Sequence, residues 1–421
     1  MTEEEQKVRR AESRWMSRGV AGIGAASFFS DSGHEIVTSL LPNFLASTLG
    51  APAAALGLIE GISDGLAGGA RLVGGALADD PGRRKALAVG GYSTTPIFSS
   101  LISVATAAWQ VGLLRAVAWG ARGLRVPARN AILADIAPAS AYGRAYGFER
   151  AMDNFGAIVG PLAALALVGL VGVRTSIAVS VIPGLLAAVA IVYAIRRSPG
   201  QHRFERRPLK IQVRPVLKGP LGRMMLAITA FELGNVAATM LILRANRLLE
   251  PGYGEREATQ IAIGLYVAYN LAASLVSVPA GRAGDRIGMK TVLLAGTASF
   301  AVSYIGFAAG GAIPALALWF VAAGFGIGCV ETAEHAAVAT LAPERVRASA
   351  FGLLAAIQSV GNLAASGVAG IVWSSISPRA AFGYLAACML VASVAVATLR
   401  SGRSNEGNQS GNGIPGGEKS T

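Results

Sequence analysis

A stretch from about Trp109 to Ile136 carries four arginines, Arg115, Arg122, Arg125 and Arg129, in otherwise apolar sequence. Spacings of seven, three and four put them within an arc of roughly 80° on a helix, and the stripe rises about 21 Å. A guanidinium stays charged and presents five N–H donors, so such a stripe binds anions or pairs with carboxylates. The carboxylates have similar surroundings. Asp31 and Glu35, with His34, lie within roughly 100° on one apolar segment, and Glu60 and Asp64, with Arg71, lie within about 40° on the next. Glu149, Arg150 and Asp153 open another segment, Glu232 sits near Asn235, and Glu331, Glu334 and His335 share one face of a tenth. Desolvation favours the protonated carboxyl and a neighbouring arginine the ionised one, so substrate and proton can compete through a shared network. Asp31 and Glu35, lying mid-span, are the first candidates for coupling, and Glu149 the third. Two uses of Arg122, Arg125 and Arg129 stay open: gate salt bridges with neighbours such as Asp79 and Asp135, or an anion-binding surface. Glu331, Glu334 and His335 read as a relay or gate more readily than as a metal site, because no tight ligand spacing accompanies them. No metal and no cofactor is expected, and Cys329 and Cys388 read as packed thiols.

The elements that must position these groups are membrane spans. Of 421 residues, 53% are hydrophobic and only 14% charged, against about 25% charged in soluble domains. Apolar runs of about 20 residues recur along the chain, as a bilayer requires. Twelve spans are expected, starting near residues 20, 54, 85, 109, 145, 176, 224, 258, 291, 315, 348 and 380. The fold class is all-α integral membrane, with two six-helix halves at 19–195 and 224–400. A charged N-terminal segment, 1–18, lacks the features of a cleaved signal. Residues 196–223 hold nine Lys/Arg and one acid, which places this linker in the cytoplasm with both termini. The tail, 401–421, is Gly/Ser/Asn-rich and expected to be disordered. The net charge of +13 sits mainly in connections, so no nucleic-acid partner is expected.

The halves repeat. Gly75 to Lys85 reads GALADDPGRRK and Gly281 to Lys290 reads GRAGDRIGMK. Asp79 and Asp285 follow the first Gly by four, Gly82 and Gly288 follow the Asp by three, and Arg84 and Lys290 come two later. Ala-Pro at 137–138 and 342–343 extends the repeat, and its offset sets Arg129 against Glu334 and Asp153 against Gln358.

These loops resemble the signature of the major facilitator superfamily, roughly G-x-L-A-D-R-x-G-R-K. Gly75, Leu77, Ala78, Asp79, Gly82, Arg83 (or Arg84) and Lys85 match it. Asp80 stands where the family usually has Arg, which the second copy supplies as Arg286. The resemblance implies alternating access between the halves, with the signature residues and Arg129 as gate elements. It also puts Arg115 where many relatives carry a coupling arginine. Gly156, Gly160 and Pro161 resemble the core of the family's span-five motif, associated with exchangers and mostly exporters; Leu162 to Ala164 depart from it. The bottom-up reading of the same residues is a close-packing and kink site. A bacterial subgroup is similar more narrowly, through Ser30, Asp31, Glu35, Pro42, Phe44 and Leu45.

The reading is a proton-coupled secondary transporter of the cell membrane, not an enzyme. It moves a small polar or anionic organic solute, with export favoured. Its partners are that solute, protons and membrane lipid, and a monomer is expected. The alternatives are import of a metal chelate or metal ion, efflux of hydrophobic drugs, and a non-transporting receptor or assembly protein on the same fold.

Overall fold

The computed structural model describes residues 15–197 and 213–399. Most of the expected N-terminal segment, the middle of the basic linker and the tail lie outside the described residues. Every regular element among the described residues is helical: α1 (Arg18–Asn43), α2 (Ala53–Ala78), α3 (Pro81–Leu101), α4 (Ala108–Ile136), α5 (Tyr142–Val179), α6 (Val181–Arg196), the short α7 (Val213–Val216), α8 (Gly219–Glu232), α9 (Ala238–Ile287), α10 (Met289–Ala309), α11 (Ile313–Leu341), α12 (Arg347–Ser375) and α13 (Pro378–Thr398).

Six helical stretches are long and apolar enough to cross a membrane by length and composition. Two of them, Ala139–Arg196 with 58 residues and Ala238–Ile287 with 50, are far longer than the roughly 20 residues one pass needs. Each holds two passes, and a glycine in left-handed conformation separates them: Gly172 (φ 76°) and Gly254 (φ 74°). A Cβ is disfavoured at such angles, so glycine is the residue that turns the chain there. α1, α2 and α4 carry ionisable groups mid-span, and α3 is rich in Gly, Ser and Thr, which makes these four less apolar. Counted this way, with α8 and the start of α9 forming one pass, the described helices make twelve spans.

Two stretches differ from the sequence expectation. Span seven, expected to be continuous from Met224 to Leu243, leaves the helix after Glu232 and re-enters it at Ala238. Side chains replace the missing helical bonds: the Ala237 N–H donates to Ser366 Oγ at 3.0 Å and the Val236 N–H to the Tyr304 hydroxyl at 3.4 Å. The break is therefore a satisfied structure, as a bilayer demands. The polar connection expected from Arg244 to Glu257 is helical apart from Gly254, and Arg244 turns inward to donate to Phe307 O at 3.0 Å.

The halves meet along two seams, α2 on α12 and α5 on α9. The repeat explains both. On the first, Asp79 accepts from the Ser349 N–H (3.0 Å) and hydroxyl (2.5 Å). On the second, Asp285 accepts from the Gly143 N–H (2.7 Å) and from Arg144 Nε (2.8 Å). Each carboxylate thus satisfies an N–H in the first turn of a helix in the opposite half, where the helix dipole favours negative charge. Close backbone approach follows the same two-fold plan. A Cβ on Gly75 would lie 2.7 Å from Ala348 O, and one on Gly281 would lie 2.0 Å from Gly143 O. Gly352 meets Arg71 O at 2.5 Å, and Gly147 meets Ser277 O at 2.2 Å, measured the same way. The seams continue to the bond from Arg71 to Ser359 and that from Ser274 to Ala151 O. Counted along α2, from Arg71 to Asp79, and along α5, from Gly143 to Ala151, eight residues separate these contacts in each seam, about 12 Å of helix. Further along α2, a Cβ on Gly57, Gly61 or Gly65 would meet nothing within 4 Å. The two halves are shut at the signature-loop end, and α2 faces open space beyond it.

The departure at Asp80 has a local cause. Asp80 is the N-cap of α3, where its carboxylate accepts from the Gly82 N–H at 2.9 Å and Pro81 takes the first helical position. A carboxylate caps a helix start, which an arginine cannot do. The second copy enters α10 through Gly288 (φ 94°) instead, and Lys290 donates to Ala397 O at 2.7 Å at the end of α13. Arg84 pairs with Asp135 at 2.5 Å.

Candidate functional site

The arginine stripe of α4 faces helices of its own half, and each arginine has a different partner. Arg115 pairs with Glu60 at 2.7 Å and lies over the Trp119 ring, 4.3 Å from its centroid. The Trp119 indole N–H donates to Asp64 at 2.8 Å, and the His34 ring packs on Trp119 at 4.4 Å. Arg122 pairs with Asp31 at 2.8 Å. Arg125 turns to α3, its guanidinium 3.9 Å over the Tyr92 ring, and donates to Ser30 Oγ at 2.5 Å. Arg129 pairs with Glu149 at 2.7 Å and lies 3.9 Å from Asp153.

Arg129 corrects an expectation. It contacts neither Asp79 nor Asp135. Asp79 is taken by Ser349 and Asp135 by Arg84, while Glu149 comes to Arg129 because α5 packs closely on α1. Two of the glycines named for that packing carry the approach. A Cβ on Gly156 would lie 2.6 Å from Phe28 O, and one on Gly160 would lie 2.4 Å from the Cβ of Glu35. The α1–α5 contact also brings Ser27 Oγ to Glu149 at 2.6 Å. Arg150 completes the cluster with two bonds to Glu149, at 2.6 and 2.7 Å, and a contact to Asp153 at 3.2 Å. Glu149 is 1% exposed. Such a buried carboxylate is tolerable only because two guanidinium groups and a hydroxyl satisfy it.

Glu35 is set apart from this pairing. Its only ion contact among the described residues is His34 at 3.9 Å, and its side chain is 27% exposed. Asp64 is exposed, while Arg122 keeps one buried nitrogen, Nη1, without a partner. Glu35 and Asp64 thus keep solvent contact, whereas the unpartnered nitrogen of Arg122 lies beneath the surface.

Two buried acids of the second half, Glu334 and Glu232, have no ion pair among the described residues. Glu334 is fully buried and accepts from Gln358 Nε2 at 2.9 Å, and its Oε1 has no partner. Glu232, also buried, ends α8 and accepts from Asn235 Nδ2 at 3.0 Å. Glu334 and Gln358 stand at the repeat positions of Arg129 and Asp153. The two-fold plan is therefore kept in placement and broken in charge. Glu331 is half-buried, and its backbone oxygen lies 2.7 Å from His335 Nδ1. His335 is buried between the Tyr146 and Phe351 rings. Among the described residues no group of three His, Cys, Asp or Glu could hold a metal ion.

Several contributors went unassigned in the sequence. Trp119 stands three and four residues from the arginines it contacts, a spacing that marks one helix face. Arg150 was visible beside Glu149 but carried no signal of its own. Arg71 crosses between the halves to Ala355 O (3.1 Å) and Ser359, and its Nε is buried without a partner. The sequence sets it on the face of Glu60 and Asp64 within an apolar span and carries no sign of its partners in the other half.

A multi-pass bundle of two related halves, with ionisable side chains on the helices that meet at its centre, defines a helical membrane carrier. The family model described as Major Facilitator Superfamily matches residues 23–246 and 248–415, and the chain belongs to that family. A similar chain from Methanocaldococcus jannaschii, described as an uncharacterized MFS-type transporter, is 28% identical over 376 residues. That match covers 88% of this chain and 92% of the relative. An uncharacterized protein of Mycobacterium bovis is 29% identical over 373 residues, 87% and 88% of the two chains. Among solved structures, a bacterial homologue of the iron transporter ferroportin in an outward-facing state superposes with a TM-score of 0.74 at 14% identity. It covers 91% of this chain and 99% of that one. The human organic anion transporter MFSD10 superposes with a TM-score of 0.70 at 15% identity, covering 90% and 99%. At these identities the structures show the shared fold.

Proposed function

We propose that the protein is a proton-coupled carrier that exports a small polar or anionic organic solute across the cell membrane. The observation that carries this reading is the Arg122–Asp31 pair. Arg122 is charged, 21% exposed at its side chain, bonded to Asp31 through Nη2 and partner-free at Nη1. An anion that engages Arg122 competes with Asp31 for the same cation. Asp31 then gains a reason to take a proton, and the proton's release restores the pair. Glu35, one turn along the same helix face, supplies a carboxyl that makes no salt bridge to an arginine among the described residues. Arg115 with Glu60 repeats the pairing closer to the open end and serves as the next station. The basic linker places both termini in the cytoplasm, so the shut signature-loop end is the cytoplasmic one and the open space faces outward. Export follows from the span-five resemblance at Gly156, Gly160 and Pro161. The chemistry assigned is carriage without covalent change.

The test is transport in proteoliposomes with an imposed proton gradient, preceded by a thermal-stability panel that finds the solute. Ligand binding to the folded state raises the apparent midpoint by mass action. Organic anions should stabilise the wild type, and Arg122→Ala should lose that stabilisation. Stabilisation by hydrophobic cations alone would make the stripe a structural gate. Transport that persists when the proton gradient is collapsed would remove the coupling. Neither structural neighbour decides the solute: one is described as an organic anion transporter and the other as a homologue of an iron transporter.

A further inference from the structure

A small cavity lies inside the first half, away from the seams, enclosed by α1, α3, α4 and α6. Ser30, His34, Thr95, Ser99, Ser180 and Arg125 are among its walls, and it measures about 10 Å³. That is room for one water or one monatomic ion. It is not slack packing. A Cβ on Gly184 would lie 2.1 Å from the Cβ of Pro96, and one on Gly91 would lie 2.4 Å from the Cβ of Arg125.

The cavity holds an uncompensated charge. Arg125 is 3% exposed. Its neighbours on the stripe each have a carboxylate, Asp31 for Arg122 and Glu149 for Arg129, but no carboxylate pairs with Arg125 among the described residues. One N–H goes to Ser30 Oγ and the Tyr92 ring lies under the guanidinium, and Arg125 makes no other hydrogen bond among the described residues. A ring face offsets only part of the cost of burying a cation, and buried guanidinium N–H groups are normally satisfied. The hydroxyls sort into two kinds. Thr95 and Ser180 give their protons to backbone oxygens of Gly91 and Ile177. The hydroxyl protons of Ser30 and Ser99 have no acceptor among the described residues. The cavity therefore gathers a guanidinium and two hydroxyl protons with no anionic partner among the described residues.

We propose that this cavity binds a single halide ion, chloride in the cell, held by Arg125, Ser30 and Ser99. One negative charge neutralises Arg125, and the available space excludes an organic anion, so the ion is distinct from the transported solute. Its role is structural: it fixes α4 against α1 and α3 behind the Arg122–Asp31 pair. The inference concerns binding alone and stands whether or not transport proves proton-coupled.

The experiment uses the purified full chain in detergent, with gluconate replacing chloride at constant ionic strength. Radiolabelled chloride binding is measured by scintillation proximity beside the thermal midpoint. The expected result is saturable binding of one chloride per chain, competed by bromide and not by gluconate, with a midpoint that rises as the site fills. Ser99→Ala should weaken binding by roughly tenfold or more, the loss of one hydrogen bond to a charged acceptor, and Arg125→Gln should abolish it. Absence of saturable binding to the wild type would overturn the proposal, since the cavity would then hold only water. Binding unchanged in Arg125→Gln would overturn it as well. Should that variant fail to fold, wild-type affinity in Ser99→Ala is the overturning result.

Discussion

Removing the carboxylate of Asp79 should open the signature-loop end of the protein. Asp79 reaches from the end of α2 to the Ser349 N–H and hydroxyl on the first turn of α12. Both bonds exist only while the halves touch there. Hydrogen bonds to a charged acceptor contribute about 1.5 kcal/mol each at the lower end of their range. Losing both costs the shut arrangement about 3 kcal/mol, on the order of a hundredfold in the equilibrium between the two orientations. Asp285→Ala, on the other seam, removes the bonds to the Gly143 N–H and to Arg144 Nε and should act at least as strongly. The two share no partner, so their effects should add. Distances between spin labels at Thr48→Cys and Gly252→Cys, both exposed at the opposite end, report the equilibrium after Cys329 and Cys388 are replaced by alanine. The wild type should show a long-distance population. Asp79→Ala and Asp285→Ala should each move it toward short distances as the far end closes. An unchanged distribution in both variants would refute the reasoning, and the carboxylates would then be helix caps without a part in gating.

Glu149→Gln leaves two buried guanidinium groups, Arg129 and Arg150, with Asp153 as their one remaining carboxylate; breaking a buried pair costs about 3–5 kcal/mol, seen as a lower thermal midpoint or loss of folded protein. Glu334→Gln should stay within about 1 kcal/mol of the wild type in the same assay, because no cation depends on that carboxyl and Gln358 can donate to the amide oxygen. Gly57→Ala and Gly61→Ala should be neutral or stabilising by up to about 1 kcal/mol, since an added Cβ meets nothing. Gly184→Ala should cost about 1–3 kcal/mol, because the added carbon overlaps Pro96; equal midpoints for Gly184→Ala and Gly57→Ala would contradict the packing at that contact.

The fold was legible because it rests on features that act at short range. Apolar runs long enough for a bilayer, a basic middle segment and a loop repeated 206 residues later, Asp79 and Asp285, are all local patterns. The break after Glu232 was not legible. The bonds that replace its helical ones come from Tyr304 and Ser366, which are distant in sequence. The candidate site was legible in its inventory and not in its wiring. Helical periodicity gathers Arg115, Arg122, Arg125 and Arg129 on one face but says nothing of which carboxylate each meets. The partner of Arg129 is decided by Gly156 and Gly160 letting α5 approach α1. Arg125 is the clearest case. On the helix it is one member of a stripe, yet an 80° arc is wide enough for its tip to enter a different space from that of Arg122.

The two-fold plan constrains how the halves can work together. Where they touch, matched residues do matched jobs: Asp79 and Asp285 cap helices, Gly75 and Gly281 admit backbone, and Arg71 O and Ser277 O receive Gly352 and Gly147. A rocking motion needs this symmetry, because both seams must release over the same length of helix. At the centre the matched positions differ in charge. Arg129 stands opposite Glu334, and Asp153 opposite Gln358. Glu334 is buried with no ion pair among the described residues, whereas Asp31, Glu60 and Glu149 of the first half are paired with arginines. On the proposed reading the first half meets the solute, and the second meets a proton once water reaches it. In one orientation of the halves Glu334 is sealed, and its partner-free Oε1 marks where a proton or water would be met when the seams part. Solvent access and charge are thereby tied to the same rigid-body motion. On this account Glu334→Gln should keep its thermal midpoint and lose proton-driven transport, whereas Arg122→Ala should lose solute-induced stabilisation. A Glu334→Gln carrier that still concentrates solute against a proton gradient would confine the coupling to the first half, at Asp31 and Glu35.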